Sequence, residues 1–368
     1  MKIGIISTEY LPTTGGAQTY LENLIKIFEG AGHKTTVYQF DNGVSLPKVQ
    51  LLSHKPKFLP GGRALDLWWF NLALLTKIPS LAKEDILIVN YAFHSWPVFW
   101  HKRVIVLSHG CEWDIPPTSW SQKLKILIAK WSFKHFKYLV ANDSNYLRQM
   151  GIKIKPKESM YQEILPCKWF LPNAIDPNVF KPTNPNREIQ KLNTILVPRN
   201  VSPARGVHLA IESFAIFRKK FPETNLVVTG HLDFAPADYR NKIFELLKKL
   251  KLRNSVKFMG NINWKSMPGV YSASQLSIIP TIQREGTSLA ALESMASGVA
   301  TVSTNRWGLA DLPTEQADAN PEKLAELMIR IYPERKEISI KQRKIVLEKY
   351  NLGLWGRTWL KVISQISQ

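Results

Sequence analysis

Glu285-Gly286-Thr287-Ser288-Leu289-Ala290-Ala291-Leu292-Glu293-Ser294-Met295-Ala296-Ser297-Gly298 is the stretch whose reading decides the fold. Two carboxylates stand eight residues apart, a Gly-Thr-Ser turn follows the first, and a helical pattern follows the turn. Upstream, Leu276-Ser277-Ile278-Ile279-Pro280 reads as a buried strand ended by proline. Downstream, Gly298 stops the helix and Val299-Ala300-Thr301-Val302-Ser303-Thr304 reads as a second strand. The unit is strand, loop, helix, strand, with the helix N-terminus near Thr287 or Ser288.

The free N–H groups and positive dipole end of a helix favour an anion, typically phosphate. At 1.5 Å per residue the two carboxylates lie roughly 12 Å apart along the axis. That is about the length of a nucleotide diphosphate sugar from hexose to ribose. Glutamates at this spacing also decorate ordinary solvated helices, and spacing alone does not separate the two readings. The stretch resembles the Glu-x7-Glu element of family 4 glycosyltransferases, retaining enzymes of the GT-B fold, and the resemblance extends over nearly the whole chain.

At 368 residues the chain is long enough for two domains, each with its own core. Hydrophobic residues at 45% and charged residues at 21% describe an ordinary globular protein. Cys111 and Cys167 form neither ligand spacing nor a disulfide framework and read as reduced thiols of a cytosolic protein. The opening Lys2-Ile3-Gly4-Ile5-Ile6-Ser7 reads as a buried strand, not a signal peptide, and no apolar run is long enough to span a bilayer. The net charge of +20 is shared: +9 in residues 1–170 and +11 in residues 171–368. Such a field attracts nucleic acid, anionic lipid headgroups or phosphorylated substrates, and does not choose among them.

After the first strand, the loop through Gly15-Gly16 precedes an amphipathic helix from about Thr19 to Ala31, and Thr35-Thr36-Val37-Tyr38 begins another strand. This order opens a doubly wound α/β domain, but the loop lacks the G-x-G-x-x-G spacing of a dinucleotide fingerprint. In the family resemblance Gly15-Gly16 matches the loop facing the donor phosphates and acceptor. Residues 64–82 form an apolar helix candidate, and 85–90 a buried strand. The strand Val104-Ile105-Val106-Leu107-Ser108 runs into His109-Gly110 and then acidic Glu112 and Asp114. At a strand's carboxyl end His109 sits where ligands bind in α/β sheets; the resemblance places it beside the donor sugar and acceptor. Residues 119–139 interleave five lysines with Trp, Phe and Ile in a helical pattern. Such a helix either buries its apolar stripe in the core or lies on an anionic membrane surface. Ser144, after the strand at 138–141, reads as a helix cap.

Residues 151–170 are polar, basic and unpatterned, and close the first domain. Leu171-Pro172-Asn173-Ala174-Ile175-Asp176-Pro177 through Pro182 resembles the family's interdomain junction, with Ala174 in place of the usual glycine. Thr194-Ile195-Leu196-Val197 then delivers Arg199 at a strand end, and Arg205-Gly206 precedes a helix. Two cations so placed suit a diphosphate leaving group. The family pattern is Arg-x5-Lys-Gly, so Arg205 stands for lysine. Residues 254–262 match the segment that borders the nucleobase in relatives. Further departures are Thr287 where Phe is common, and Trp307 and Asp311 where relatives carry Gly-Gly followed by Glu.

The resemblance implies an α/β GT-B architecture of two Rossmann-like doubly wound domains facing across a cleft. The expected division is residues 1–170 on the acceptor side, 171–350 binding the nucleotide sugar, and a helix at 351–368 returning to the first domain. It implies retaining, metal-independent transfer of a hexosyl group from a UDP- or GDP-sugar to a glycan or lipid-linked acceptor, with no cofactor and no nucleic acid. Glu285, His109, Arg199 and Arg205 are the expected catalytic residues. Gly15, Gly16, Arg199, Arg205, Gly286, Thr287, Ser288, Leu289 and Glu293 are expected to bind the donor. A nucleotide-sugar epimerase of the same architecture and a non-catalytic basic polyanion-binding protein are the alternatives. The expected location is cytoplasmic, with possible peripheral attachment to the membrane.

Overall fold

The structure, a computed structural model, describes every residue except 12–14, 45, 57–61, 112, 114, 115, 118, 234 and 284. Pro12, Thr13 and Thr14 of the glycine loop, and Glu112 and Asp114 after the His-Gly pair, therefore lie outside the described residues. The chain divides into two compact units, Met1–Pro172 with Trp355–Gln368, and Asn173–Leu354.

In the first unit the elements run β1 (Lys2–Ile6), α1 (Gly16–Gly30), β2 (Lys34–Phe40), β3 (Val49–Leu52), α2 (Arg63–Leu75), α3 (Ile78–Leu81), β4 (Ile86–Val89), β5 (Val104–Ser108), α4 (Trp120–His135), β6 (Tyr138–Ala141), α5 (Ser144–Gln149), β7 (Gln162–Leu165) and β8 (Lys168–Phe170). The sheet order is β3-β2-β1-β4-β5-β6-β8-β7, parallel throughout except for the β7–β8 pair. Ile5 stands opposite Val37 on one side and Ile88 on the other. Its central strands β4 and β5 are short, fully buried runs dominated by Val, Ile and Leu, as expected where helices cover both faces of a parallel sheet.

Several sequence expectations are corrected here. α1 begins at Gly16, three residues before Thr19, because Gly15 in extended backbone already accepts from Thr19 N. The apolar run 64–82 breaks into α2 and α3, with Pro79 in the first turn of the second, where its missing N–H costs nothing. Asp143, not Ser144, caps α5: its carboxylate accepts from Tyr146 N at 2.8 Å. Residues 162–170, read as unpatterned, form the β7–β8 hairpin at the sheet edge. Residues of β7 are largely solvent-facing, so no alternation marks them.

The second unit runs α6 (Arg187–Gln190), β9 (Thr194–Val197), α7 (Val207–Arg218), β10 (Asn225–Val228), α8 (Ala237–Lys249), β11 (Val256–Phe258), α9 (Met267–Ser272), β12 (Leu276–Ile279), α10 (Leu289–Ala296), β13 (Thr301–Thr304), β14 (Glu315–Ala317) and α11 (Pro321–Lys349). Its sheet, β11-β10-β9-β12-β13-β14, is parallel throughout. Counted along the chain this is the order 3-2-1-4-5-6, which the first six strands of the other unit also follow. Ile195, Val197, Leu226, Val228, Leu276 and Ile278 form the sheet's contribution to the core of this unit, against Phe214 and Phe217 of α7 and Met328 and Ile331 of α11. The chain ends in α12 (Leu352–Ser367), whose residues from Trp355 onward belong to the first unit.

Candidate functional site

In the second unit the sheet order reverses between β9 and β12, and open α/β sheets bind ligands at the carboxyl ends of such strands. Arg199 follows β9 and Glu285 follows β12. Arg199 is buried; its Nη2 donates to Glu285 Oε2, and its Nη1 donates to Ser288 Oγ at 3.2 Å. Arg205 Nη1 donates to the same Glu285 oxygen, and Thr281 Oγ1 approaches it at 3.4 Å. Burial alone would push the Glu285 carboxyl up, but the two guanidinium groups outweigh it and hold its pKa below the ordinary value. Two cations around one carboxylate leave the cluster with an excess positive charge.

The backbone fixes this cluster. Arg205 ends a short 3₁₀ turn, Pro203–Arg205, and Gly206 follows with φ of +68° before α7 begins. A Cβ on Gly206 would stand 1.9 Å from the carbonyl oxygen of Pro280, so only glycine lets the arginine turn pack on the end of β12. Ile282 N and Gln283 N both donate to Ala204 O, at 3.0 and 3.2 Å, and stitch the two loops together. From the other side, Gly308 N donates to Glu285 O at 2.9 Å. The preceding Trp307 takes φ of +55°, a left-handed conformation that glycine adopts without strain and other residues rarely do. Asn173 Nδ2 holds the Thr287 carbonyl at 2.7 Å.

Ser288 is the N-cap residue of α10, yet its hydroxyl accepts from Arg199 and makes no cap bond. The first-turn amides of α10 thus lack the side-chain acceptor that a capping serine normally supplies. Gly286, Thr287 and Leu289 complete this turn. Glu293 lies farther along α10, partly buried, and accepts from Tyr271 Oη at 2.9 Å. Burial pushes its carboxyl up to about 7, against the smaller opposing pulls of Tyr271 and Arg199. Burial first, and then the Glu293 charge, keeps the Tyr271 phenol well above its ordinary pKa.

In the first unit a chain of hydrogen bonds settles the state of His109. Ser7 Oγ donates to Glu9 O at 2.9 Å, so it accepts from Asn90 Nδ2 at 3.1 Å. The carbonyl oxygen of Asn90 therefore faces His109 and accepts from its Nε2–H at 2.6 Å. Nδ1 is left as the acceptor and takes Asn142 Nδ2 at 3.3 Å. Burial pulls the ring's pKa down to about 4, so it is neutral near pH 7, with both nitrogens engaged. Tyr20 stands edge-on to the ring at 4.8 Å. Gly15 and Gly16 lie at the start of α1, past the end of β1.

Arg199, Arg205, Glu285 and Ser288 thus meet in one cluster, with Gly286, Thr287 and Leu289 forming the turn around it. Glu293 shares α10 but is tied to Tyr271, while His109, Gly15 and Gly16 belong to the other unit. Sequence reasoning did not reach Tyr271, Thr281, Asn90 or Asn142 as site residues. The two asparagines end the strand motifs at 85–90 and 138–142, a positional signal that could have flagged them; Tyr271 carries none. Among the described residues no group of three or more His, Cys, Asp or Glu is placed to hold a metal ion.

Residues 181–344 match the family described as glycosyl transferases group 1. Mannosylfructose-phosphate synthase of Agrobacterium fabrum is 30% identical over 118 residues, 31% of this chain and 26% of that protein. A lipopolysaccharide 1,2-N-acetylglucosaminetransferase of Salmonella typhimurium is 23% identical over 53% of this chain and 56% of its own. The chain thus spans about a quarter and about half the length of these two relatives. Among solved structures, sucrose-phosphate synthase of Thermosynechococcus elongatus superposes with a TM-score of 0.80 at 16% identity, covering 99% of this chain and 98% of that one. Anabaena HepE in complex with UDP-glucose gives 0.75 at 15% identity, covering 99% and 100%. Residues 181–344 are thus similar to the group 1 glycosyl transferases, within a chain whose two α/β units have the GT-B fold.

Proposed function

We propose that the protein is a retaining glycosyltransferase that moves a hexosyl group from a UDP- or GDP-sugar to a glycan or lipid-linked acceptor on the cytoplasmic side of a membrane. The observation that carries this reading is the Arg199–Glu285–Arg205 cluster at the amino end of α10. An excess positive charge beside uncapped helix amides is suited to a diphosphate, whose charge grows as the glycosidic bond breaks. In this reading Gly286, Thr287, Ser288 and Leu289 face the phosphates, Glu285 meets sugar hydroxyls, and Glu293 meets the ribose. The arginines neutralise the leaving group, and the leaving phosphate takes the acceptor's proton. Neutral His109, its nitrogens engaged by Asn90 and Asn142, serves as a wall beside Gly15 and Gly16 on the acceptor side. The HepE complex with UDP-glucose supports a uridine donor, and the lipopolysaccharide-directed relative supports a glycan acceptor.

The test is a melting-temperature screen with UDP-, GDP-, ADP- and CMP-sugars. One donor at a hundred times its dissociation constant should stabilise the protein by about 2.7 kcal/mol. Arg205→Gln should weaken that donor's binding about tenfold or more, since a charged hydrogen bond to phosphate is lost. No response to any nucleotide sugar would overturn the reading. Sugar epimerisation without acceptor would replace transfer with the epimerase alternative.

A further inference from the structure

One apolar stripe of α4 faces away from the core. Trp120, Leu124, Leu127 and Trp131 are 78%, 39%, 59% and 38% exposed. At 3.6 residues per turn their spacing puts them within an arc of about 60°. Ala129 and Ser132 are the buried residues of α4 and lie opposite. Ser132 Oγ accepts from Ser95 Oγ at 2.8 Å, which fixes that face inward and turns the tryptophans and leucines outward. Lys123, Lys130 and Lys134 are exposed along one flank of the stripe, and no acidic residue occurs between Asp114 and Asp143. Trp68 Nε1 of α2 donates to Ser121 Oγ at 3.4 Å, and the neighbouring helix adds exposed Leu65 and Leu72.

We infer that this face of α4 docks on an anionic lipid bilayer, lying in the plane of the interface. A stripe ended by tryptophans and flanked by lysines matches the layering of headgroup and acyl boundary. A protein partner fits less well, because it would have to match the whole lysine flank with fixed acidic groups, whereas an anionic bilayer offers that charge at every point of its surface. A second copy fits worst, since each chain carries +20. Among the described residues no helix is long and apolar enough to cross a membrane, so attachment through this face is peripheral. The inference deepens the transferase reading by naming the surface that holds a lipid-linked acceptor, but vesicle binding can be measured whether or not sugar is transferred.

The experiment is co-sedimentation of the whole chain with phosphatidylcholine vesicles, with and without phosphatidylglycerol. Binding should be about tenfold or more stronger with the anionic lipid and should fall at high salt. The double substitution Trp120→Ser with Leu127→Ser, and the triple Lys123→Gln, Lys130→Gln and Lys134→Gln, should each cut binding about tenfold or more while the melting temperature and nucleotide-sugar binding stay unchanged. The triple Lys242→Gln, Lys248→Gln and Lys249→Gln on α8 removes the same charge from the other unit and should have little effect. Equal loss in that control, equal binding to both vesicles, or wild-type binding by the α4 variants overturns the proposal. So does a concentration-dependent dimer abolished by Trp120→Ser with Leu127→Ser in a protein that ignores vesicles.

Discussion

Glu285 and Glu293 are the same residue type, one before and one within a single helix, and their surroundings drive them in opposite directions. Glu285 is buried with two guanidinium groups and stays ionised; Glu293 accepts one bond from a phenol, feels Arg199 only weakly, and burial raises its pKa to about 7. The raised value has a definite sign in stability. Below the ordinary carboxyl pKa both folded and unfolded states hold the proton, and Glu293 is neutral in its effect. As pH rises toward 7 the unfolded chain ionises first, so the folded state is progressively disfavoured, and above 7 the loss is complete. Glu293→Gln keeps the Tyr271 hydrogen bond and removes the titration. Its stability relative to wild type should therefore improve between pH 4.5 and 7.5, by about 2 kcal/mol once solvent screening of a partly exposed group is allowed for. Urea unfolding of both proteins at matched pH checks this, and a difference independent of pH would refute it.

At the scale of the element, the arginine turn and the loop after β12 act as one piece. Gly206→Ala would force a left-handed backbone on a residue with a side chain and drive its Cβ against the Pro280 carbonyl. The turn must move, carrying Arg205 away from Glu285. The expected cost is about 2 kcal/mol or more of stability together with a clear loss of nucleotide-sugar affinity, measured by unfolding and by ligand-induced melting shifts. Retained affinity would mean that Arg205 does not need this turn. Elements of this kind were readable in advance because period and punctuation agreed: apolar strand, proline stop, Gly-Thr-Ser turn, helix, and Gly298 at φ of +81°. The α4 segment had a clear period but an ambiguous destination, since a basic amphipathic pattern suits a lipid-facing helix as well as the commoner core-facing one. Tertiary packing decides between them, here through the small Ala129 and Ser132. The edge hairpin at 162–170 and the Tyr271–Glu293 bond were beyond reach for a different reason: neither leaves a periodic trace.

For the whole molecule, the path of the chain matters as much as either sheet. It leaves the first unit after Pro172, builds the second, and supplies the first again from Trp355 onward. The return is anchored by Trp355 and Trp359, both buried, on α1: Trp355 stands edge-on to Tyr20 at 5.0 Å and Trp359 to Phe28 at 6.0 Å. Gly356 sits where a Cβ would meet Ile27 Cδ1 at 2.8 Å, so the two helices approach closely at that point. Tyr20 in turn packs on His109, which makes the last helix a remote support for that ring. Trp355→Ala should cost about 3 kcal/mol or more, because a large buried side chain is removed and a cavity is left beside Tyr20. Hydrogen exchange should show the loss first in α1 and β1, with β9 and β10 retaining more of their protection. A variant that unfolds uniformly, or one that keeps α1 fully protected, would mean that the returning helix is not what holds the first unit's opening strand and helix in place.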